Sequence, residues 1–196
     1  MKTPREEIVY IGRRMSERWM TNAAGGNISL RLEDQIYISP RYADYKWGWQ
    51  LRPEQIVSGP INSDELIANP SFSREGKAHL GIYRAFPEAQ AIIHAHPHHV
   101  MPFCAANKPI EPIIDATMRF GAIEQIKYAT PNTQELADNV VLGLRGKEAL
   151  IRDYAAAVLL PKHGIIVVGK EIYAVFDTLV KINMNAWCIL AQKMLD

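Results

Sequence analysis

Residues 91–97 read Ala91-Ile92-Ile93-His94-Ala95-His96-Pro97, an apolar run that ends in two histidines and is closed by a proline. Its length and β-branched content predict a strand over 91–96. Successive side chains of a strand point to opposite faces, so Ile93 and Ala95 share one face while His94 and His96 share the other. Two further apolar runs, 156–160 and 165–168, flank Pro161-Lys162-His163-Gly164 and predict two strands joined by a tight turn. An imidazole in such a turn has little packing reason to be there, which makes His163 a natural companion of the pair on 91–96.

Upstream, Ile8, Ile11, Met15 and Trp19 recur at helical spacing and predict an amphipathic helix over 5–20. Gly25-Gly26 ends that region, and Asn27 leads into Ile28, Leu30 and Leu32 alternating with Ser29 and Arg31, a strand over 28–32. Glu33-Asp34-Gln35 reads as a turn into a strand over 36–39, stopped by Pro40; the aromatic-rich 41–50 has no clean period and reads as an ordered loop. A helix capped by Ser71 or Ser73 carries His79, Ile82, Tyr83 and Phe86 on one stripe before Pro87. Pro97 can open another helix, and Thr133 caps one running through Leu136, Val140 and Leu144. From Lys170 the chain reads as helical to its end, with Val175, Leu179, Ile182, Ala186 and Ile189 on one face. Strands joined by short turns and interspersed with helices predict an α/β fold whose sheet is at least partly antiparallel.

The chain of 196 residues has 22 basic against 21 acidic side chains, a net charge of +1 and 48% hydrophobic residues. These values predict one domain over 1–196 with a substantial core, and they exclude disorder as the main state. Near-neutral charge argues against nucleic acid as a partner. The charged N-terminal residues show no signal peptide, and the longest apolar runs are too short to span a bilayer. Cys104 and Cys188 sit in apolar surroundings and suit structural thiols in a cytoplasmic protein.

Two imidazoles at i and i+2 of a strand can converge on one metal ion; with His163 they would leave an open position, the arrangement of catalytic zinc. Alone, a His-x-His pair is equally compatible with two hydrogen-bonded surface histidines. His98 and His99 read as outer or solvent-facing groups, and His79 as a satisfied core or interface histidine. Glu75 falls in the expected first turn of its helix, where a carboxylate either interacts with the helix N-terminus or faces a metal as a general acid/base. The Gly25-Gly26-Asn27 turn can offer backbone N–H groups to an anion, with Ser73, Arg41 and Arg74 available to join it.

In this order, Gly25-Gly26-Asn27-Ile28-Ser29, Ile38-Ser39-Pro40, Ser73-Arg74-Glu75, the run 91–96 and His163-Gly164 with Gly169 resemble the class II aldolase/adducin family, over nearly the whole chain. The resemblance implies a three-layer α/β/α fold around a central, mainly antiparallel sheet, and a homotetramer. It further implies that His94, His96 and His163 bind Zn2+ (with Mn2+, Co2+ or Fe2+ as alternatives) and that Glu75 moves the proton. Gly26, Asn27 and Ser73, joined by Arg41 and Arg74, would hold a phosphate. The implied reaction is a zinc-dependent aldehyde-lyase cleavage of a sugar phosphate resembling L-fuculose 1-phosphate, to dihydroxyacetone phosphate and an aldehyde. A ribulose-phosphate 4-epimerase, a dehydratase or decarboxylase of the same family, and an adducin-like association module are the alternatives.

The chain departs from the family pattern in three places. Arg41-Tyr42 replaces the Thr-Gly common after the Ser/Thr-Pro turn, and Arg74 stands where a second serine is common. Asp115 falls where the fuculose-phosphate aldolase pattern has a tyrosine, and Asp196 directly follows the last expected helix, without the family's C-terminal tyrosine. The acid/base on the aldehyde side is therefore not assigned.

Overall fold

The computed structural model describes residues 2–22, 25–192, 194 and 195. Six strands form one sheet: β1 (Asn27–Leu32), β2 (Gln35–Ile38), β3 (Val57–Pro60), β4 (Ala91–Ala95), β5 (Ala155–Leu160) and β6 (Gly164–Gly169), in the order β3-β2-β1-β4-β6-β5. Every neighbouring pair is antiparallel. The helices are α1 (Pro4–Glu17), α2 (Ala43–Trp47), α3 (Gly76–Ala85), α4 (Met101–Ala106), α5 (Gln134–Leu144), α6 (Glu148–Asp153) and α7 (Ile172–Gln192).

The strand alternation assigns the layers. Ile28, Leu30, Ile93, Ala95, Ile165 and Val167 pack under α1, α4 and α7, while Ile36, Ile38, Ile92, Val158, Ile166 and Val168 pack under α3, α5 and α6. With both faces covered, β4 and β6 are buried throughout, and the architecture is α/β/α. Asn27, Ser29, His94 and Ile92 belong to the α3 side, because each alternates with a residue of the other core. Thr133 caps α5 as expected, its hydroxyl accepting the Leu136 N–H at 3.2 Å.

Several elements differ from the sequence expectation. α1 stops at Glu17 rather than continuing to residue 20: Trp19 adopts a left-handed conformation (φ 57) and is 68% exposed, while Met20 turns back into the core and bonds to the Met15 carbonyl. The expected loop 41–50 contains α2, bounded by Tyr42 and Gly48 at positive φ, and buries Trp49 completely. Leu32, expected on the buried face of its strand, is exposed at the end of β1. Neither Ser71 nor Ser73 caps α3; the Gly76 N–H bonds to the Ser73 carbonyl in a turn, and the helix begins at Gly76 with Glu75 at the cap position. Pro97 opens a turn rather than a helix, its carbonyl accepting the Val100 and Met101 N–H groups, and α4 starts at Met101.

The edge strand β3 was not anticipated, since Gly59 and Pro60 mask it; an edge position tolerates the missing N–H of Pro60. Arg5 of α1 holds its approach, donating to the Ser58 hydroxyl at 2.8 Å and to the Pro53 and Ile56 carbonyls. The uninterrupted apolar runs are short, as expected; α7 alone among the described helices reaches, by length and composition, what a membrane crossing needs. Here it packs on β4, β5 and β6, burying Val175, Leu179, Ile182 and Ala186 against the sheet.

Candidate active site

His94 sits near the end of β4, His96 just beyond it, and His163 in the β5–β6 turn, where Lys162 takes a positive φ and the His163 N–H bonds to the Leu160 carbonyl. Their coordinating atoms lie within 4.8 Å of one another. The turn can close this tightly because residue 164 is glycine: a Cβ there would lie 2.6 Å from His96 Cδ2 and collide with the Ala95 carbonyl.

The hydrogen bonds around the rings fix their tautomers. His94 Nδ1 lies 3.1 Å from the Ile165 carbonyl and His96 Nδ1 lies 3.1 Å from Asn22 Oδ1. Both partners are acceptors, so both Nδ1 atoms carry the proton and both Nε2 atoms are bare lone pairs. Those two Nε2 atoms are 3.1 Å apart. Two facing lone pairs at that distance call for a shared cation, and Nδ1–H bonded to an outer acceptor is how metal-binding imidazoles are oriented. His163 Nδ1 is buried without a hydrogen-bond partner among the described residues. Burial first, and mutual repulsion second, hold His94 well below the ordinary imidazole value and His96 at about 4; burial and the Arg74 charge lower His163. All three are therefore neutral donors at pH 7. The donor set fits a divalent cation of the zinc type, and His94, His96 and His163 are the residues that could hold one.

Glu75 lines the same cavity, an open cleft of about 160 Å³. Glu75 is 7% exposed, and burial raises its carboxyl to about 7, opposed by the Asn132 backbone N–H and the Arg74 charge. Because α3 starts one residue later, this carboxyl is not used as a helix cap and is free to act in the cavity. Gly25, Gly26 and Asn27 line it as well. Gly26 has a φ of 106, and a Cβ there would lie 2.9 Å from Thr21 Oγ1 and 3.2 Å from the His94 carbonyl. Asn27 pairs with His94 in the β1–β4 register.

Ser73, Arg41 and Arg74 complete the lining. The two guanidinium groups stand over the same Tyr42 ring, at 5.0 and 5.4 Å from its centroid, and neither has a carboxylate partner among the described residues. Two guanidinium groups over one ring, without a close ion pair, favour an anion between or beside them. All nine residues singled out from the sequence thus border one cavity.

The other candidates lie elsewhere. His98 stacks on Trp19, and His99 stacks on Trp187 while its N–H bonds to Asn183. Asp115 opens a short 3-10 segment, Asp115–Phe120, outside this cavity. Cys104 is buried, its thiol raised to about 12 and directed at the Gly164 carbonyl, a structural role. Sequence reading did not single out Asn22 or Asn132, whose contributions come from loops remote in sequence and carry no motif. It read His79 as a satisfied core or interface histidine; His79 is fully buried and bonded to Ser29 through Nδ1, but its Nε2 has no partner among the described residues.

A family model described as "Class II Aldolase and Adducin N-terminal domain" matches residues 6–189. The chain is 27% identical over 190 residues to a 3-oxo-tetronate 4-phosphate decarboxylase of Haemophilus influenzae, covering 93% of this chain and 84% of that one. It is 28% identical over 167 residues to an L-fuculose phosphate aldolase of Methanococcus maripaludis, covering 85% and 84%. The structure superposes on a solved L-fuculose 1-phosphate aldolase with a TM-score of 0.82 at 23% identity, over 100% of this chain and 89% of the other.

Proposed function

The chain belongs to the class II aldolase and adducin family, and from that membership we propose that it is a divalent-metal-dependent aldehyde-lyase cleaving a ketose phosphate to dihydroxyacetone phosphate and an aldehyde. The observation that carries this reading is the pair of His94 and His96 lone pairs, 3.1 Å apart in the cavity that Glu75 borders. His94, His96 and His163 would be the ligands, with Zn2+ suited to three neutral imidazoles and Mn2+, Co2+ or Fe2+ able to replace it. When bound, such a cation supplies Lewis-acid stabilisation of charge developing on a substrate oxygen.

The chain's own groups do the rest. Gly26, Asn27, Ser73, Arg41 and Arg74 hold the phosphate, the end that does not react, and so convert binding into orientation. In the cleavage direction the hydroxyl of the departing fragment loses its proton to water and becomes the aldehyde carbonyl as the C–C bond breaks; the electron pair stays on the carbon beside the ketose carbonyl, and Glu75, protonated, delivers its proton there. In the condensation direction its carboxylate takes a proton from the same carbon. A carboxyl held at about 7 is matched to both directions near neutral pH. We place the enzyme in the cytoplasm, as one domain that assembles into a homotetramer. Two free cysteines suit a reducing compartment, and exposed Met184 and Trp187 on α7 offer apolar surface for subunit contact.

Decarboxylation is the second reading, favoured by relatives that bear that name and by Arg41 and Arg74 over one ring, which can also hold a carboxylate. The same electron pair would then be left by carbon dioxide instead of an aldehyde. A panel of ketose 1-phosphates, ketose 5-phosphates and keto-acid phosphates, with added zinc, manganese or cobalt, tests the proposal. Free aldehyde that disappears with chelator and returns with metal is the expected result. Carbon dioxide release would make it a decarboxylase, and a stereoisomer returned without free aldehyde an epimerase. No turnover and no bound metal would leave an association module.

A further inference from the structure

Beside the cleft lies a second, open groove of about 540 Å³, across a shared wall of Arg41, Ser73, Arg74 and Asn132. Neither Glu75 nor any of His94, His96 and His163 borders it, so the reacting groups are confined to the cleft. Lys77, in the first turn of α3, borders the groove and not the cleft. Specific bonds build the groove wall. Asn69 Oδ1 accepts the Ser71 N–H at 2.9 Å, the Asn69 carbonyl accepts the Phe72 N–H at 2.9 Å, and the Ser71 carbonyl accepts the Arg41 N–H at 2.8 Å. Phe72 fits against the start of α3 because residue 76 is glycine; a Cβ there would strike its ring.

The charge of this groove is one-sided. Arg41, Arg74 and Lys77 line it, and no acidic side chain does. None of the three has a close ion pair among the described residues, and Arg41 Nε is buried without an acceptor among them. A charged donor buried in this way is destabilising, and a bound anion supplies the missing acceptor. Asp64, in the segment that leads to the groove, is taken up by Arg84 at 2.8 Å. The first turn of α3 carries no acidic side chain and no side-chain cap, so the helix dipole adds to the positive field. Size points the same way. Small-molecule sites usually enclose about 300–1,000 Å³; the cleft alone falls short of that range, and the groove lies within it.

We propose that the groove is a second anion subsite, in which Lys77, with Arg41 and Arg74 on the shared wall, takes a phosphoryl group outside the reacting cleft. Phosphoryl oxygens suit this donor set, since guanidinium groups bind them through paired hydrogen bonds and an ammonium binds them as a point charge. That group comes either from a separate phosphate or from a ligand whose phosphate end continues out of the cleft as a diphosphate. The second source rests on the reading of Asn27 and Ser73 as contacts of the substrate's anionic end; the subsite itself does not.

The test is calorimetric titration of inorganic phosphate into the whole chain, at matched metal content. We expect two phosphates per chain. Lys77→Gln should weaken one about 10-fold, the size of one charge-assisted contact, and leave the other within about 2-fold. Lys77→Arg, which keeps the charge, should stay within about 3-fold of the parent. Asn27→Ala should weaken the other phosphate instead. Lys127→Gln, which removes an exposed lysine outside both cavities, should change neither. Diphosphate separates the sources. Binding tighter than phosphate, with the gain lost in Lys77→Gln, marks one ligand spanning cleft and groove, and no gain marks a separate phosphate. Parental binding in a folded Lys77→Gln protein, equal weakening in Lys77→Gln and Lys127→Gln, or no bound phosphate at all would overturn the proposal. A single phosphate weakened by Asn27→Ala and not by Lys77→Gln also overturns it while keeping the anion reading of the cleft. A single phosphate weakened only by Lys77→Gln supports the groove and removes the anion from the cleft.

Discussion

Asn27 and His94 face one another across neighbouring antiparallel strands, so a single rung of the sheet carries both an amide that borders the cavity and one of the clustered imidazoles. The proposed anion contact and the proposed metal ligand are therefore set at a fixed distance by backbone hydrogen bonds rather than by loop packing. A slip of one residue between β1 and β4 would send one of them to the opposite face. Mutations at this site should accordingly act locally, on ligands, before they act on the fold.

His94→Ala and His96→Ala should each yield folded protein with strongly reduced metal content. Elemental analysis of protein purified without chelator checks this, alongside melting curves with and without added zinc. Binding to the native state alone raises the melting temperature of the parent, and that rise should shrink in both variants. Full metal occupancy in both variants would remove these histidines from the ligand set.

Glu75→Gln should keep the fold and most of the metal while lowering kcat by about 10² to 10⁴-fold on any true substrate, the range typical of a general acid–base group. Steady-state kinetics with metal-saturated enzyme measures it. A near-normal kcat would leave Glu75 without a role in proton transfer.

The raised Glu75 value also predicts a pH dependence of stability in the metal-free protein. Its ordinary value is 4.5 and burial lifts it to about 7, so the folded state binds this proton more tightly than the unfolded chain does. The contribution is fully present below about 4.5 and is lost as pH rises through about 7. Glu75→Gln removes that loss, and its stability relative to the parent should grow by about 3 kcal/mol, in order of magnitude, across this window. Urea unfolding of both proteins at a series of pH values reads the difference directly; parallel profiles would contradict it.

Asn27→Ala should raise KM for a phosphorylated ketose and affect kcat less, because it removes a contact to the end of the substrate that does not react. The weak turnover expected for the unphosphorylated sugar should hardly change. Equal losses on both substrates would make the Gly25-Gly26-Asn27 turn purely structural and leave the anion to Arg41 and Arg74.

Gly164→Ala should cost about 1–3 kcal/mol, as overpacking typically does, since a Cβ there would sit 2.6 Å from His96 Cδ2 and against the Ala95 carbonyl. Relief of that contact has to move His96 or the β5–β6 turn, so metal affinity should fall with stability. Denaturant melts and metal titration of the same preparation test both. A variant as stable as the parent, with parental metal affinity, would show that the turn is not held by this contact.

Much of this molecule is written in local pattern. The apolar run of β4 and the i, i+2 placement of His94 and His96 follow from neighbours in the chain, as do the Thr133 cap and the buried stripe of α7, because strand alternation and helical period involve only residues a few positions apart. The nine residues named from the ordered motifs as candidate metal, proton and anion groups also line one cavity. Elements whose formation depends on distant partners were not legible. β3 exists because β2 accepts it as an edge and Arg5 holds its approach, and α1 ends early because Met20 finds a place in the core. Glu75 reads locally as part of a helix start, and only the turn from Ser73 to Gly76 releases its carboxyl into the cavity. The contacts that orient the rings span long separations: Asn22 to His96 across 74 residues and Ser29 to His79 across 50. Strand register and helix docking bring such pairs together, so tautomer and burial, and with them the chemistry of each histidine, are decided by tertiary structure.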